Sequence, residues 1–418
     1  MSKIVIHGGK RLTGEITLQG AKNSVLPILA AAILCEGNCV VHNCPKLSDV
    51  DVSLKILNSL GCNTLFDGSS VIVDSTTISS SKIPEELMLK MRSSVVFLGA
   101  ILGRTGKGII SSPGGCELGP RPIDLHISAL RQLGVEITEE HGYLLCEAKN
   151  GLKGAQITLA FPSVGATENI ILAAAKAQGK TVIHNAAKEP EISNLADFLN
   201  SAGARIYGAG SDTVVIEGVK HLHSCEGAII PDRIVAATYM AATAVTGGDI
   251  TIKSVMPSHF MSVLSAFREA GCDIEVKGKT LRIKSEKRLS RINSLRSLTY
   301  PGFPTDAGPI IISMLTKADG ISVFCENIFE NRFRYVDELN RLGTRIKTEG
   351  KIALIEGVES LSGAYCKCTD LRGGAALVIA GLTASGTTII DDIYHINRGY
   401  DDIVGVLNSV NADITIKE

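Results

Sequence analysis

A thiol and a set of cations are the groups of this sequence best suited to chemistry. The thiol is Cys116, within SSPGGCELGPRPIDLHI (residues 111–127), where clustered glycine and proline mark an exposed, adaptable loop between a strand and a helix. A cysteine beside cations and near a helix start ionises more readily than a free one, and becomes a nucleophile or a proton donor at neutral pH. The competing reading is a turn cysteine with no chemical role. Most of the other ten cysteines stand in apolar or strand-like runs, where the residue serves as a small buried hydrophobe. Cys366 and Cys368 flank one lysine, and Cys35, Cys39 and Cys44 lie close together, but neither group has the paired CxxC spacing of a structural zinc site. No metal is expected.

The cations are Lys22, Arg92, Arg121, Arg233, Arg332, Arg372 and Arg398, each at or near a point where the apolar pattern predicts that a helix begins. A positive side chain there opposes the helix dipole and costs stability unless an anion is bound. Free backbone N–H groups together with a cation make an anion site. Any one of the seven could simply solvate a loop. Seven at equivalent points of a repeat predict a polyanionic ligand.

That repeat is what positions them. A segment of the form Leu-x-x-(small or Leu)-Gly recurs as LNSLGCNTL, LRQLGVEI, LNSAGARI, FREAGCDI, LNRLGTRI and LNSVNADI. Its glycines are Gly61, Gly134, Gly203, Gly271 and Gly343, with Asn411 in the sixth place, 68 to 73 residues apart. Gly and Asn both suit the left-handed residue that ends a helix. A second, Ala/Ile/Leu-rich helix ends at Gly37, Gly106, Gly179, Gly247, Gly320 and Gly386, with β-branched runs such as NCVVHN, KTVIHN, DITIKS, ISVFCEN and TTIIDD after five of these. The predicted unit is helix, strand, helix, strand, strand, six times over about 70 residues.

A chain of 418 residues suits two large domains of three units each. Hydrophobic residues make up 45% and charged residues 20%, which is ample for burial. There is no apolar run of membrane-spanning length and no secretory signal in the first twenty residues, so a cytoplasmic location with free thiols is expected. Lys plus Arg number 42 against 43 Asp plus Glu, and aromatics are 4%, which excludes general attraction to nucleic acid or to an anionic membrane. Any anion site must be local.

The segments GAKNSVLP, PGGCELGPRPIDLHI, PSVGATENI, AAKEPEI, PDRI, PGFPTDAGP, IFENRF, TDLRGGAALVIAG and IYHINRGY run in order from Gly20 to Tyr400. Together they resemble the signature segments of the UDP-N-acetylglucosamine 1-carboxyvinyltransferases (the MurA family), which belong to the enolpyruvyl transferases. The resemblance implies a mixed α/β fold of two inside-out α/β barrels, each of three βαβαββ-type units. Residues 22–229 would form the domain of repeats 1–3, carrying the Cys116 loop. Residues 1–21 with 230–418 would form that of repeats 4–6, and the active site would lie in the cleft between them. The sister family that acts on shikimate 3-phosphate lacks the loop cysteine, so residues 116–126 argue against it.

The resemblance further implies the substrates phosphoenolpyruvate and UDP-N-acetylglucosamine. Lys22, Asn23, Arg121, Arg332, Arg372 and Arg398 would bind phosphoenolpyruvate, whose phosphate and carboxylate suit arginine forks. Asn23, Arg92, Arg121, Pro122, Ile123, Asp124, Leu125, Ser163, Val164, Gly165, Asp306 and Ile328 would hold the nucleotide sugar, with 122–125 at the uracil and 163–165 at the diphosphate. Asp306 would be the base and Cys116 the acid of an addition–elimination, with Lys22 and Arg398 also catalytic. A helix cap is the competing reading of Asp306. No cofactor, metal or obligate protein partner is required. Phe161 and Asn397 depart from the family pattern, which carries a lysine and an aspartate at these places.

Overall fold

The computed structural model describes residues 2–111 and 123–417, the side chain of Arg92 excepted. Six helices recur at the expected places: α1 (Lys22–Ala31), α2 (Phe97–Thr105), α3 (Val164–Ala174), α4 (Arg233–Val245), α5 (Gly308–Leu315) and α6 (Leu371–Thr383). All thirteen residues of α4 and all eight of α5 are buried. A helix apolar on every side has nowhere to go but the core. In one unit α4, α5 and α6 pack on one another, and in the other α2 packs on both α1 and α3.

Each helix ends where the sequence calls for a left-handed residue. Gly61, Gly134, Gly203, Gly271, Gly343 and Asn411 have φ between 79° and 98°, and the six glycines after the core helices have φ between 66° and 120°. Strands follow at once: Asn38–His42, Lys180–His184, Asp249–Lys253, Ile321–Cys325 and Thr387–Asp391 coincide with the β-branched runs.

Among the described residues the strands form an outer layer of five four-stranded sheets and one three-stranded sheet, with a two-stranded pair, Leu361–Ser362 and Ala384–Ser385, beside them. In the third repeat Gln156–Thr158 runs parallel to Lys180–His184, which pairs antiparallel with Thr213–Glu217, itself the partner of Arg205–Tyr207. Along Thr213–Glu217 alternate residues are buried, so Val214 and Ile216 lie on the helices while Thr213, Val215 and Glu217 face outward. Helices inside and sheets outside, in βαβαββ units, make the inside-out α/β barrel.

Two strands are exchanged. Thr13–Thr17 precedes α1 in the chain but pairs with Asp249–Lys253 of the fourth repeat. Glu226–Ala228 precedes α4 but pairs with Asn38–His42 of the first. Lys3–His7 lies between Thr387–Asp391 and Ile414–Lys417 and completes the last sheet. The chain consequently divides between Gln19 and Gly20 and between Ile230 and Pro231 into a first unit (repeats 1–3) and a second unit (repeats 4–6). Each has its own apolar core, one drawn from residues 21–229 and the other from 4–18 and 234–414. Among the described residues no helix is long and apolar enough to cross a membrane.

Candidate active site

In the second unit three charged residues come together from three repeat segments. Asp306 lies in the 3-10 turn Thr305–Ala307 that leads into α5, and its carboxylate is held by two guanidinium groups. Arg332 Nη2 donates to Asp306 Oδ1 at 3.1 Å and to the Thr305 carbonyl at 3.2 Å, and Arg372 Nη2 donates to Asp306 Oδ2 at 3.3 Å. Both arginine side chains are almost fully buried (2% and 3% exposed), whereas that of Asp306 keeps 29% of its surface. The carboxylate is the accessible end of the cluster. Neither the 3-10 turn nor α5 has a side-chain cap, so Asp306 is an ion-pair partner and not a helix cap.

Further contacts hold these groups in place. Arg372 is the second residue of α6, whose N-cap Asp370 accepts from the N–H groups of Arg372 and Gly373, each at 3.0 Å. Its Nη1 donates to the Tyr400 hydroxyl at 3.4 Å, and Tyr400 in turn lies 2.8 Å from Thr238 Oγ1. Thr238 gives its own proton to the Ile234 carbonyl, so Tyr400 is the donor in that pair. Burial alone would weaken the Arg372 charge, but Tyr400, Asp306 and Asp232 more than offset it and hold the guanidinium above its usual range. Among the described residues the buried Nε atoms of Arg332 and Arg372 have no hydrogen-bond partner. Two unsatisfied buried donors are costly unless a ligand meets them.

Glu326 organises the segment that carries Ile328. Its Oε1 accepts from Ser297 Oγ (2.7 Å), Ile328 N (2.7 Å) and Phe329 N (3.1 Å), while Oε2 accepts from Thr305 Oγ1 at 2.8 Å. One buried carboxylate fixes both the Ile328 turn and the turn bearing Asp306.

In the first unit Lys22 opens α1, whose N-cap Ala21 offers no side-chain acceptor. Lys22 Nζ is 2.8 Å from Asp49 Oδ2, both side chains being 10% exposed or less. Asn23 beside it is exposed. Ser163 caps α3 by accepting from Ala166 N at 3.3 Å, with Val164 and Gly165 as the first two helical residues. Ile123 precedes, and Asp124 and Leu125 open, the helix Asp124–Gln132. Arg92 opens the 3-10 turn Arg92–Val96. Cys116, Arg121 and Pro122 lie outside the described residues.

Two cations expected at helix starts are placed otherwise. Arg332 lies in a turn four residues ahead of the helix Val336–Arg341, and Arg398 is the C-cap of the short helix Tyr394–Asn397. At a helix end a cation agrees with the dipole. The sequence pattern puts these helices too early because their true starts, Val336 and Ile403, are preceded by turns that share the same composition.

Two positioning residues had no signal in the sequence. Asn169 of α3 accepts from Gly99 N at 2.6 Å through Oδ1, which makes its amide nitrogen the donor to Val95 O (2.9 Å) and to His126 Nδ1 (2.8 Å). His126 therefore carries its neutral-form proton on Nε2, and that edge of the ring lies against Gly165, where a Cβ would come within 3.4 Å of it. Asn169 thus ties the helix beginning at Asp124 to the start of α3. Glu326 is the other.

Comparison with known proteins supplies the family. A family model described as EPSP synthase (3-phosphoshikimate 1-carboxyvinyltransferase) matches residues 6–407. The chain is 52% identical over 414 residues to UDP-N-acetylglucosamine 1-carboxyvinyltransferase 2 of Caldanaerobacter subterraneus subsp. tengcongensis, covering 99% of each chain. It is 46% identical over 418 residues to UDP-N-acetylglucosamine 1-carboxyvinyltransferase 1 of Symbiobacterium thermophilum, covering 99% of this chain and 95% of the relative. Among solved structures the fold resembles the enolpyruvyl transferase NikO from Streptomyces tendae, with a TM-score of 0.89 at 23% identity over 100% of this chain and 99% of that one. With its six βαβαββ repeats and its full-length likeness to these relatives, the chain belongs to the EPSP synthase family of enolpyruvyl transferases, and within it to the UDP-N-acetylglucosamine 1-carboxyvinyltransferases.

Proposed function

We propose that the chain transfers the enolpyruvyl group of phosphoenolpyruvate to the 3-hydroxyl of UDP-N-acetylglucosamine and releases phosphate, the first committed step of peptidoglycan synthesis. The observation that carries this reading is the 52% identity, over essentially the whole length, to a relative named for that activity.

Asp306 takes the proton of the sugar hydroxyl as its oxygen bonds to C2 of phosphoenolpyruvate. The carboxylate is anchored on its two buried arginines, which leaves its accessible side to meet the substrate. The electrons of the C2–C3 double bond collect a proton at C3, for which Cys116 is the donor. In the second half C3 gives up a proton, the double bond re-forms, and the bond from C2 to the phosphate oxygen breaks. Lys22, Asn23, Arg121, Arg332, Arg372 and Arg398 hold the phosphate and carboxylate of the donor. Arg92, the run 121–125, Ser163, Val164, Gly165 and Ile328 hold the nucleotide sugar, with the open N-terminus of α3 at the diphosphate. This chemistry asks for two small anionic substrates and no protein partner, and we place it in the cytoplasm.

Phosphate release decides the matter. It is expected only when phosphoenolpyruvate and UDP-N-acetylglucosamine are both present. Release with shikimate 3-phosphate in place of the nucleotide sugar overturns the assignment.

A further inference from the structure

Two neighbouring cysteines, Cys35 and Cys39, meet the distant Cys225 in the first unit. Cys39 is on the strand Asn38–His42, and Cys225 immediately precedes Glu226–Ala228, the strand that closes this unit on its first repeat. The parallel register sets Glu226 against Val40, so Cys225 falls beside Cys39, and Val40 N donates to the Cys225 carbonyl at 2.9 Å. The Cys39 and Cys225 sulfurs are 3.7 Å apart. Cys35 follows the 3-10 turn Ala32–Leu34 at the end of α1, and all three sulfurs lie within 4.8 Å of one another. Cys35 and Cys39 are fully buried, while Cys225 is partly exposed. Cys44, grouped with the first two by sequence, takes no part in this cluster.

We infer that Cys35, Cys39 and Cys225 form a binding site for one thiophilic d10 cation of the Zn(II) class. Two thiolates at about 2.3 Å from a tetrahedral metal stand about 3.8 Å apart, and the Cys39–Cys225 pair already has that span. The remaining edges shorten by at most about an ångström to complete a trigonal face. A disulfide would use two of the three sulfurs and strand the third, whereas a cation engages all of them. Binding releases three thiol protons and leaves one net negative charge on the centre. Such a site would staple the closing strand Glu226–Ala228 to the end of α1 and to Asn38–His42. Its effect is on stability and not on turnover.

Titration of the reduced full-length chain with Cd(II) tests this, because the ultraviolet sulfur-to-cadmium band grows with the number of thiolates bound. One Cd(II) per chain with three thiolates is expected. Zn(II) in large excess should compete for the same site, and either ion should raise the melting temperature by mass action. Cys225→Ser, at the partly exposed position, should weaken binding at least about tenfold and remove one thiolate from the band, while Cys62→Ser should change neither. Cadmium binding unaffected by Cys225→Ser, or a band of two thiolates or fewer, overturns the proposal. So does a Cys39–Cys225 disulfide formed by dilute peroxide in a chain that binds no cadmium. Cys39→Ser serves as a second variant, with circular dichroism to establish that it folds.

Discussion

The helix starts of the two units are finished differently. In the second unit Asp232 and Asp370 each accept two backbone N–H groups at the starts of α4 and α6, and only α5 lacks a side-chain cap. In the first unit α1 has no side-chain cap, and α3 has only the neutral Ser163 hydroxyl, which accepts one. A helix start already occupied by the protein's own carboxylate cannot also receive a ligand's phosphate, whereas an uncapped or neutrally capped start still presents its dipole. The second unit accordingly offers positive charge through arginine side chains, two of them locked onto Asp306. The first offers backbone N–H groups and one buried lysine. The same repeat thus carries carboxylate caps at two core-helix starts of one unit and at none of the other.

The largest way to break this contrast is at Asp306. Asp306→Asn should lower turnover by about a hundredfold to ten-thousandfold, the range for losing a positioned base. Because both buried guanidinium groups lose their anionic partner, it should also lower stability by about 1–3 kcal/mol. Nucleotide-sugar binding and melting curves separate the two effects, and a folded variant that turns over within about threefold of the parent would remove Asp306 from the chemistry.

Lys22→Met in the first unit should cost about 3 kcal/mol, since it leaves the Asp49 carboxylate buried beside an apolar chain. Adding Asp49→Asn should restore the melting temperature without restoring turnover. If the double variant recovers both, Lys22 is only a structural partner.

The loop thiol sharpens the contrast further. Burial pushes Cys62, Cys146 and Cys366 up to about 11 and Cys272 to about 12. Two pKa units remove about 99% of the thiolate at a given pH. A small anionic epoxide such as fosfomycin should therefore label Cys116 about a hundredfold faster than these four, as read by mass spectrometry of digests. Equal labelling would deny Cys116 its special status.

The smallest effect is expected at Ser163. Ser163→Asp gives α3 the kind of cap that α4 and α6 have. It should stabilise the ligand-free chain by about 0.5 kcal/mol and weaken nucleotide-sugar binding by about tenfold through charge repulsion. Unchanged affinity would mean that the diphosphate is not read by this helix start.

What the sequence discloses is local. A helix must end on a residue that tolerates positive φ, so the twelve Gly and Asn positions mark out the repeat by their spacing alone. Apolar helices and β-branched runs likewise declare themselves within a few residues, and Lys22, Arg233 and Arg372 do fall at helix starts. The hidden contacts link distant positions. Asp306 meets Arg332 and Arg372 at separations of 26 and 66 residues, Asn169 meets His126 at 43, and Cys39 meets Cys225 at 186. No periodicity announces such pairs. Arg332 and Arg398 escape a local reading because turn and helix start share a composition, and only tertiary packing decides where the helix begins.

The strand exchange between the repeats also orders events on the ribosome. Residues 20–230 carry a complete set of pairings for the first unit, so that unit has its core as soon as Glu226–Ala228 reaches Asn38–His42. Lys3–His7 and Thr13–Thr17 are synthesised before this unit, yet their partners begin only at Asp249 and end at Lys417. At about 5–20 residues per second these opening strands wait on the order of ten seconds or more with unpaired edges. In a nascent chain arrested shortly after residue 260, α1 to α3 should resist protease while the first nineteen residues are cut. Strands made before the first unit are thus paired after it, and the wait falls on two five-residue strands, short enough to offer little to a neighbouring edge.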